Sequence, residues 1–337
     1  METMYLVLEN GRYFKGRAFG APLSETTGEV VFTTGMNGYL ETITDPSYCG
    51  QIVVQTFPMI GNYGVIPAEF ESKEPRLAGY IVREWCREPS NFRNEGDLDT
   101  FFKAKGIPAL EGVDTRALTR CLREFGTMNG RLTRKAPPYS EEELQEIRDF
   151  RVVRPVQQVT VEEKEVDTPS EVKYQVALWD FGAKHNIVQE LVSRGCEVTS
   201  FPATATAEEI LAAHPDGIML SNGPGNPEDN SEIIAELAKL CEAQIPMFGI
   251  CLGHQLMALA RGAHTTKLKY GHRGANQPVE DLDTGRIYVT SQNHGYMVES
   301  DSLPEGARVR FINANDGTCK GIISDKVAAF SERFANV

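Results

Sequence analysis

The stretch Met247-Phe248-Gly249-Ile250-Cys251-Leu252-Gly253-His254-Gln255 narrows the possible folds most. An apolar run over residues 245–250 reads as a buried strand, and a helical pattern over 252–261 begins with no loop between them. Cys251 stands at the joint, with Gly249 and Gly253 two residues to either side. This is a strand–nucleophile–helix turn, G-x-C-x-G in place of G-x-S-x-G. So tight a turn leaves no room for Cβ atoms beside it and holds the nucleophile in a strained backbone conformation. The sulfur is then lifted out of the sheet to a helix N-terminus, where unpaired N–H groups and the helix dipole favour thiolate. An isolated match of this kind is equally satisfied by a structural cysteine at a strand end, so the neighbouring segments must decide.

From residue 175 onwards strands and helices alternate. Residues 176–180, 197–201 and 217–220 read as strands, and 186–194, 207–213 and 232–242 as helices. Such alternation gives a parallel sheet with helices on both faces, and ligands bind at the carboxyl ends of its strands. Both Cys251 and the loop Ser221-Asn222-Gly223-Pro224-Gly225-Asn226-Pro227 fall at such ends. A thiolate attacking a carbonyl needs donors for the oxyanion. Gly223 and Gly225 can present backbone N–H groups without side-chain obstruction, and the Leu252 N–H directly follows the nucleophile. A third segment, Thr290-Ser291-Gln292-Asn293-His294-Gly295-Tyr296, reads as a loop delivered by a strand over 286–290, with groups suited to an amino-acid zwitterion. Taken singly, the glycine loop is also an ordinary turn and His294 an ordinary loop histidine.

The first half is organised differently. Residues 5–14 alternate around Glu9-Asn10-Gly11, a hairpin signal. Further strands are read at 28–33, 52–57 and 77–85, and helices at 98–105 and after Asp114, the latter stopped by Gly126. Strands followed by helices predict an α+β domain of docking or scaffold character. Residues 35–48 are turn-rich yet carry aromatic and apolar side chains, so they are expected to pack against something. Residues 135–173 read as a join, with a helix from a Ser140–Glu143 capping box and an acidic linker or edge strand over 159–172.

A length of 337 residues suits two domains. The net charge of −13 argues against nucleic acid or an anionic membrane as the main partner. Seven scattered cysteines without a C-x-x-C pair indicate neither a disulfide framework nor a zinc site, and point to a reducing cytoplasm. No run is long enough to span a membrane, and the N-terminus lacks a signal-peptide pattern.

Together the Cys251, Gly223–Gly225 and 290–296 segments resemble the class I (triad) glutamine amidotransferases. Residues 28–64, Ser90-Asn91-Phe92-Arg93-Asn94, Asp114-Thr115-Arg116 and Asp180-Phe181-Gly182-Ala183-Lys184 further resemble the small chain of glutamine-dependent carbamoyl-phosphate synthase. The resemblance implies an α/β chain: an N-terminal α+β domain (1–134), a linker (135–173) and a class I glutamine amidotransferase-like doubly wound domain with a mostly parallel sheet (174–337). It implies that Cys251 forms a γ-glutamyl thioester and releases ammonia. It assigns L-glutamine contacts to Ser47, Gly223, Gly225, Leu252, Gln255, Asn293, Gly295 and Tyr296. It also implies a large synthetase chain as partner, which receives the ammonia and uses ATP, Mg and bicarbonate; no cofactor or metal is expected in this chain.

One element departs from the family pattern. The family's last catalytic strand runs into F-S-x-x-x-H-P-E, with His as base and Glu as its orienter. Here Ala335 stands in the His position and Val337 in the Glu position. Loss of the base is expected to cost on the order of 10² to 10⁴ in rate. The sequence thus reads as a C-terminally truncated form of a competent amidotransferase chain, or as a glutaminase-deficient subunit that binds and regulates the synthetase. A different amidotransferase is disfavoured by the first-domain match.

Overall fold

The computed structural model describes residues 2–22 and 25–324 and the backbone of Ala328–Phe330. The chain divides into two compact units, Met1–Val153 and Arg154–Val337. The segment expected as a linker is shared between them, residues 135–153 going with the first and 154–173 with the second.

The first unit contains strands β1 (Thr3–Leu8), β2 (Tyr13–Gly20), β3 (Thr26–Thr33), β4 (Gln51–Gln55), β5 (Met59–Ile60), β6 (Gly79–Ile81), β7 (Glu84–Trp85), β8 (Pro108–Glu111) and β9 (Met128–Thr133). Seven of them close into a barrel in the order β1-β2-β8-β6-β4-β3-β9, while β5 and β7 form a separate ladder. The run 77–85 therefore does not stay one strand. Gly112 N–H bonds back to the Arg83 carbonyl where the chain leaves the barrel, and Glu84–Trp85 joins the other ladder. Helices α1 (Tyr39–Thr44), α2 (Leu98–Lys105), α3 (Thr115–Phe125) and α4 (Glu141–Asp149) complete the unit. Asp97 caps α2, Asp114 caps α3, and Ser140 with Glu143 forms the capping box of α4. Residues 35–48 hold α1 and the 3-10 turn Pro46–Tyr48, whose Tyr39, Leu40, Ile43 and Tyr48 are buried with Val31, Val53 and Tyr80. That explains the apolar content of the loop.

A seven-stranded barrel is too narrow to hold anything but side chains. Leu6, Val30, Ile52, Leu110 and Leu132 are fully buried, and glycines make room for them. A Cβ on Gly79 would lie 2.7 Å from Leu132 Cδ1, and one on Gly130 2.7 Å from Val30 Cγ2 and 3.0 Å from Leu6 Cδ1.

In the second unit β10 (Glu165–Asp167), β11 (Tyr174–Trp179), β12 (Cys196–Phe201), β13 (Gly217–Leu220) and β14 (Met247–Gly249) form a sheet ordered β10-β12-β11-β13-β14. The last four are parallel; β10 is an antiparallel edge strand. Helix α5 (His185–Ser193) packs on one face through Ile187 against Leu178 and Val198. Helices α6 (Ala207–Leu211), α7 (Ser231–Glu242) and α8 (Leu252–Ala260) cover the other, with Ile210, Leu237, Leu240, Leu252 and Leu256 around Trp179, Phe201 and Leu220. This is the doubly wound arrangement.

A second, antiparallel sheet follows: β15 (Thr265–Asp281), β16 (Arg286–Val298), β17 (Ala307–Asn313), β18 (Cys319–Ser324) and β19 (Ala328–Phe330), ordered β16-β15-β17-β18-β19. Residues 290–296, expected as a loop, lie inside β16. The pairing of β15 with β16 is interrupted between Lys267/His272 and between Gly274/Gln277, and such bulges re-aim side chains without ending the strand. Among the described residues no helix is long and apolar enough to cross a membrane. All seven cysteines are free. Ala335 and Val337 lie outside the described residues.

Replacing Gly130 by alanine overfills the barrel, because the stiff Val30 and the Val7 carbonyl (3.1 Å) both oppose the new Cβ. The expected loss is about 1–3 kcal/mol, read as a lower urea midpoint at unchanged m-value.

Candidate active site

Cys251 is the N-cap of α8, with φ 51° and ψ −106°. A non-glycine residue pays a strain penalty there, of order 1–3 kcal/mol, and keeps the conformation only where its surroundings impose it. They do so by close backbone packing. A Cβ on Gly253 would lie 2.4 Å from the Leu220 carbonyl oxygen, and one on Gly249 2.7 Å from the His254 nitrogen. The Gly253 N–H bonds to the Ser221 carbonyl (3.0 Å), and the Ile250 N–H to that of Leu220 (3.0 Å). Helix and strand are thus fastened to the end of β13, and Cys251 is left outside the sheet, partly exposed.

The glycine loop is fastened to the same place. A Cβ on Gly223 would sit 2.3 Å from the Phe181 carbonyl oxygen and 2.8 Å from Leu252 Cδ2. Gly225 has φ +91° and faces Pro155, whose Cγ would be 2.6 Å from a Cβ. Beneath the loop, Ser221 Oγ accepts from Phe181 N–H (2.8 Å), and Asn222 accepts from Lys184 N–H (3.1 Å) while donating to the Gly182 carbonyl (2.9 Å). Buried Asp180 accepts from the N–H groups of Gly182, Ala183 and Val161 at 2.6–2.9 Å. Burial nevertheless raises its pKa above the ordinary carboxylate value. Motif reading assigned Asp180, Ser221 and Asn222 no supporting role; their buried positions beside the glycine turn are the signal.

The segment in β16 closes the third side. The Cys251 thiol donates to the Asn293 carbonyl at 3.5 Å, and Gln255 Nε2 donates to the Tyr296 carbonyl at 2.7 Å. Gly295 lies between them, with Arg273 Nη2 3.3 Å from where its Cβ would be. The structure therefore brings together Cys251, Leu252, Gln255, Gly223, Gly225, Asn293, Gly295 and Tyr296, all within one unit. Ser47 belongs to the first unit, where its N–H bonds to Asp45 Oδ1 (2.9 Å) at the start of a 3-10 turn. The Leu252 N–H, in the first turn of α8, has no carbonyl four residues back to take it within the helix.

Behind β16 lies a polar cluster that the motifs did not reveal. His272 and His294 are directly opposed across β15 and β16, and fully buried Lys320 of β18 touches both. His254 on α8 is buried beside the cluster. Burial, then the Lys320 charge, lowers His254 to about 3 and His272 to about 4, and holds His294 well below 6.5. Among the described residues no group of three or more His, Cys, Asp or Glu could hold a metal ion.

The same segments occur in known proteins. Residues 177–334 match the family model of class-I glutamine amidotransferases. Two solved glutamine amidotransferases share the likeness weakly. That of Thermotoga maritima has a TM-score of 0.39 at 17% identity, covering 48% of this chain and 75% of its own. That of Methylobacillus flagellatus has a TM-score of 0.37 at 17% identity, covering 49% and 70%. Residues 6–132 match the carbamoyl-phosphate synthase small chain, CPSase domain. Over nearly the whole chain, the carbamoyl phosphate synthase small chain of Listeria monocytogenes serotype 4b is 50% identical (99% of this chain, 91% of the relative). That of Bacillus caldolyticus is 49% identical (98% and 90%), and that of Clostridium perfringens 48% (98% and 92%). The chain belongs to the carbamoyl-phosphate synthase small-chain family.

The buried histidines set a pH dependence. In the unfolded chain they take up protons near pH 6.5; in the folded unit they resist until about pH 4 or below. Between those values the unfolded state binds more protons, so stability falls as pH falls, by at most about 1.4 kcal/mol per pH unit for each buried histidine and by less for the partly exposed His272. The raised pKa of Asp180 acts in the opposite sense, from above 3.8, and offsets part of the loss. Unfolding followed by Trp179 fluorescence in a Trp85→Phe background is expected to show a lower urea midpoint for this unit at pH 5 than at pH 7. An equal midpoint would contradict the neutral histidines.

Proposed function

We propose that this chain is the glutamine-hydrolysing subunit of a carbamoyl-phosphate synthase. The observation that carries the reading is the convergence of three segments on Cys251: the glycine loop, the elbow and the Asn293–Tyr296 stretch of β16. In this reading L-glutamine lies along Asn293, Gly295 and Tyr296, with Gln255, Gly223 and Gly225 as further contacts. The assignment of Ser47 as a glutamine contact rests on the sequence resemblance. The Cys251 sulfur attacks the side-chain amide carbon, and the oxyanion is met by backbone N–H groups of Leu252 and the glycine loop. The C–N bond then breaks, the nitrogen takes a proton and leaves as ammonia, and the γ-glutamyl thioester is hydrolysed by water to glutamate and the free thiol. The ammonia passes to a large synthetase chain, which uses bicarbonate and ATP with Mg to form carbamoyl phosphate. Seven scattered, unpaired cysteines suit a cytoplasmic complex.

A second reading is favoured by one specific observation: alanine and valine at positions 335 and 337, where the family resemblance places the base and its orienter. A chain of that kind binds the large subunit and regulates it with little hydrolysis of its own.

Reconstitution with a large chain separates the two. With glutamine as nitrogen donor, carbamoyl phosphate is expected to form and Cys251→Ser to abolish it, while ammonia-dependent synthesis by the complex is retained. A complex that assembles and uses ammonia but releases none from glutamine supports the second reading. Glutamine-dependent synthesis surviving in Cys251→Ser overturns the nucleophile assignment.

A further inference from the structure

The hydrogen bonds of the cluster behind β16 assign a tautomer to each of its two opposed histidines. His294 Nδ1 lies 2.7 Å from the Tyr296 carbonyl oxygen, which can only accept, so Nδ1 carries the proton. His272 Nε2 lies 2.9 Å from Asp316 Oδ2, likewise an acceptor, so on that ring the proton is on Nε2. The two remaining nitrogens, His294 Nε2 and His272 Nδ1, are bare lone pairs. Both point at Lys320 Nζ, at 2.5 and 2.8 Å. Gln292 Oε1, 3.3 Å from His294 Nε2, accepts only from a protonated Nε2 and gives the neutral Nδ1–H ring no donor there. The Lys320 amino group, as a donor to both, satisfies the two imidazoles at once.

The consequence reaches the nucleophile helix. The Tyr296 carbonyl accepts from His294 Nδ1 on one side and from Gln255 Nε2 of α8 on the other. We propose that Lys320 is a positioning residue of the glutamine site, fixing the tautomers of His272 and His294 and thereby anchoring the Tyr296 carbonyl where Gln255 meets it. The proposal deepens the reading of this segment as a glutamine site and rests on it. Among the described residues, the charged and titratable groups facing the cluster are Asp316 beside His272, Arg273 on β15 and His254 on α8. Lys320 within the cluster and Arg273 beside it disfavour a proton on either ring. Replacing Lys320 by methionine removes the donor to both lone pairs, and the rings are then free to protonate or change tautomer. Methionine keeps the side-chain length but leaves both lone pairs without a donor, so some loss of stability accompanies the change.

The test uses the full chain with ¹⁵N-labelled histidine. Wild-type long-range ¹H–¹⁵N spectra are expected to show His294 as the neutral Nδ1–H form and His272 as the neutral Nε2–H form from pH 8 down to pH 5, assigned by their loss in His294→Gln and His272→Gln. In Lys320→Met both are expected to titrate closer to pH 6.5. In parallel, alkylation of Cys251 by a chloromethyl ketone analogue of glutamine is followed. Its half-saturating concentration is expected to rise roughly tenfold or more in Lys320→Met, the scale of a displaced binding group, with the limiting rate little changed. Wild-type histidines of the opposite tautomer, or unaltered titration and half-saturation in Lys320→Met, overturn the proposal. Should that variant not fold, the wild-type tautomers decide. Absence of saturable labelling in the wild type would count against the glutamine reading alone, with the tautomers still judging Lys320.

Discussion

The second unit depends on one close approach, the seating of Gly253 against the carbonyl of Leu220. No other residue type brings the first turn of a helix that near to the neighbouring strand. From this contact follow the positive φ of Cys251, the fastening of α8 to the end of β13, and the place of Leu252 against Gly223. The contact is between backbones, so it admits no adjustment by side-chain rotation. Cys251 can be held in a strained conformation only if what surrounds it cannot give way.

That part of the molecule was legible in the chain because its determinants are local. The glycine spacing around Cys251, the strand–helix alternation from residue 175 and the helix caps at Asp97, Asp114 and Ser140 are each written within a few residues. The antiparallel sheet was not. Residues 290–296 carry polar and turn-forming types throughout, and only their pairing with a bulged β15 makes them strand. Nor did alternation disclose barrel closure, because the meeting of β1 with β9 joins residues more than a hundred positions apart. Lys320 shows the limit plainly. Within Cys319-Lys320-Gly321 nothing marks it as buried, and its partners, His272 and His294, are 48 and 26 residues away.

The arrangement of the second unit divides labour between its sheets. The parallel sheet supplies Cys251 and the glycine loop from adjacent strand ends. The antiparallel sheet supplies backbone carbonyls, of Asn293 and Tyr296, and backs them with a cluster of histidines and a lysine. Two kinds of rigidity result: steric in the elbow, electrostatic behind β16. The histidines resist protonation because they are desolvated and face cations, which keeps the electrostatic half unchanged over the neutral range while making it sensitive to acid.

The first unit carries a different consequence. Joining β1 to β9 leaves its main ladder without an outermost strand, and therefore without a row of unpaired amides and carbonyls. Another polypeptide cannot lengthen that ladder by lying alongside it. Recognition at this barrel must be done by side chains and loops, so its specificity is open to change residue by residue while the hydrogen-bonded wall stays as it is.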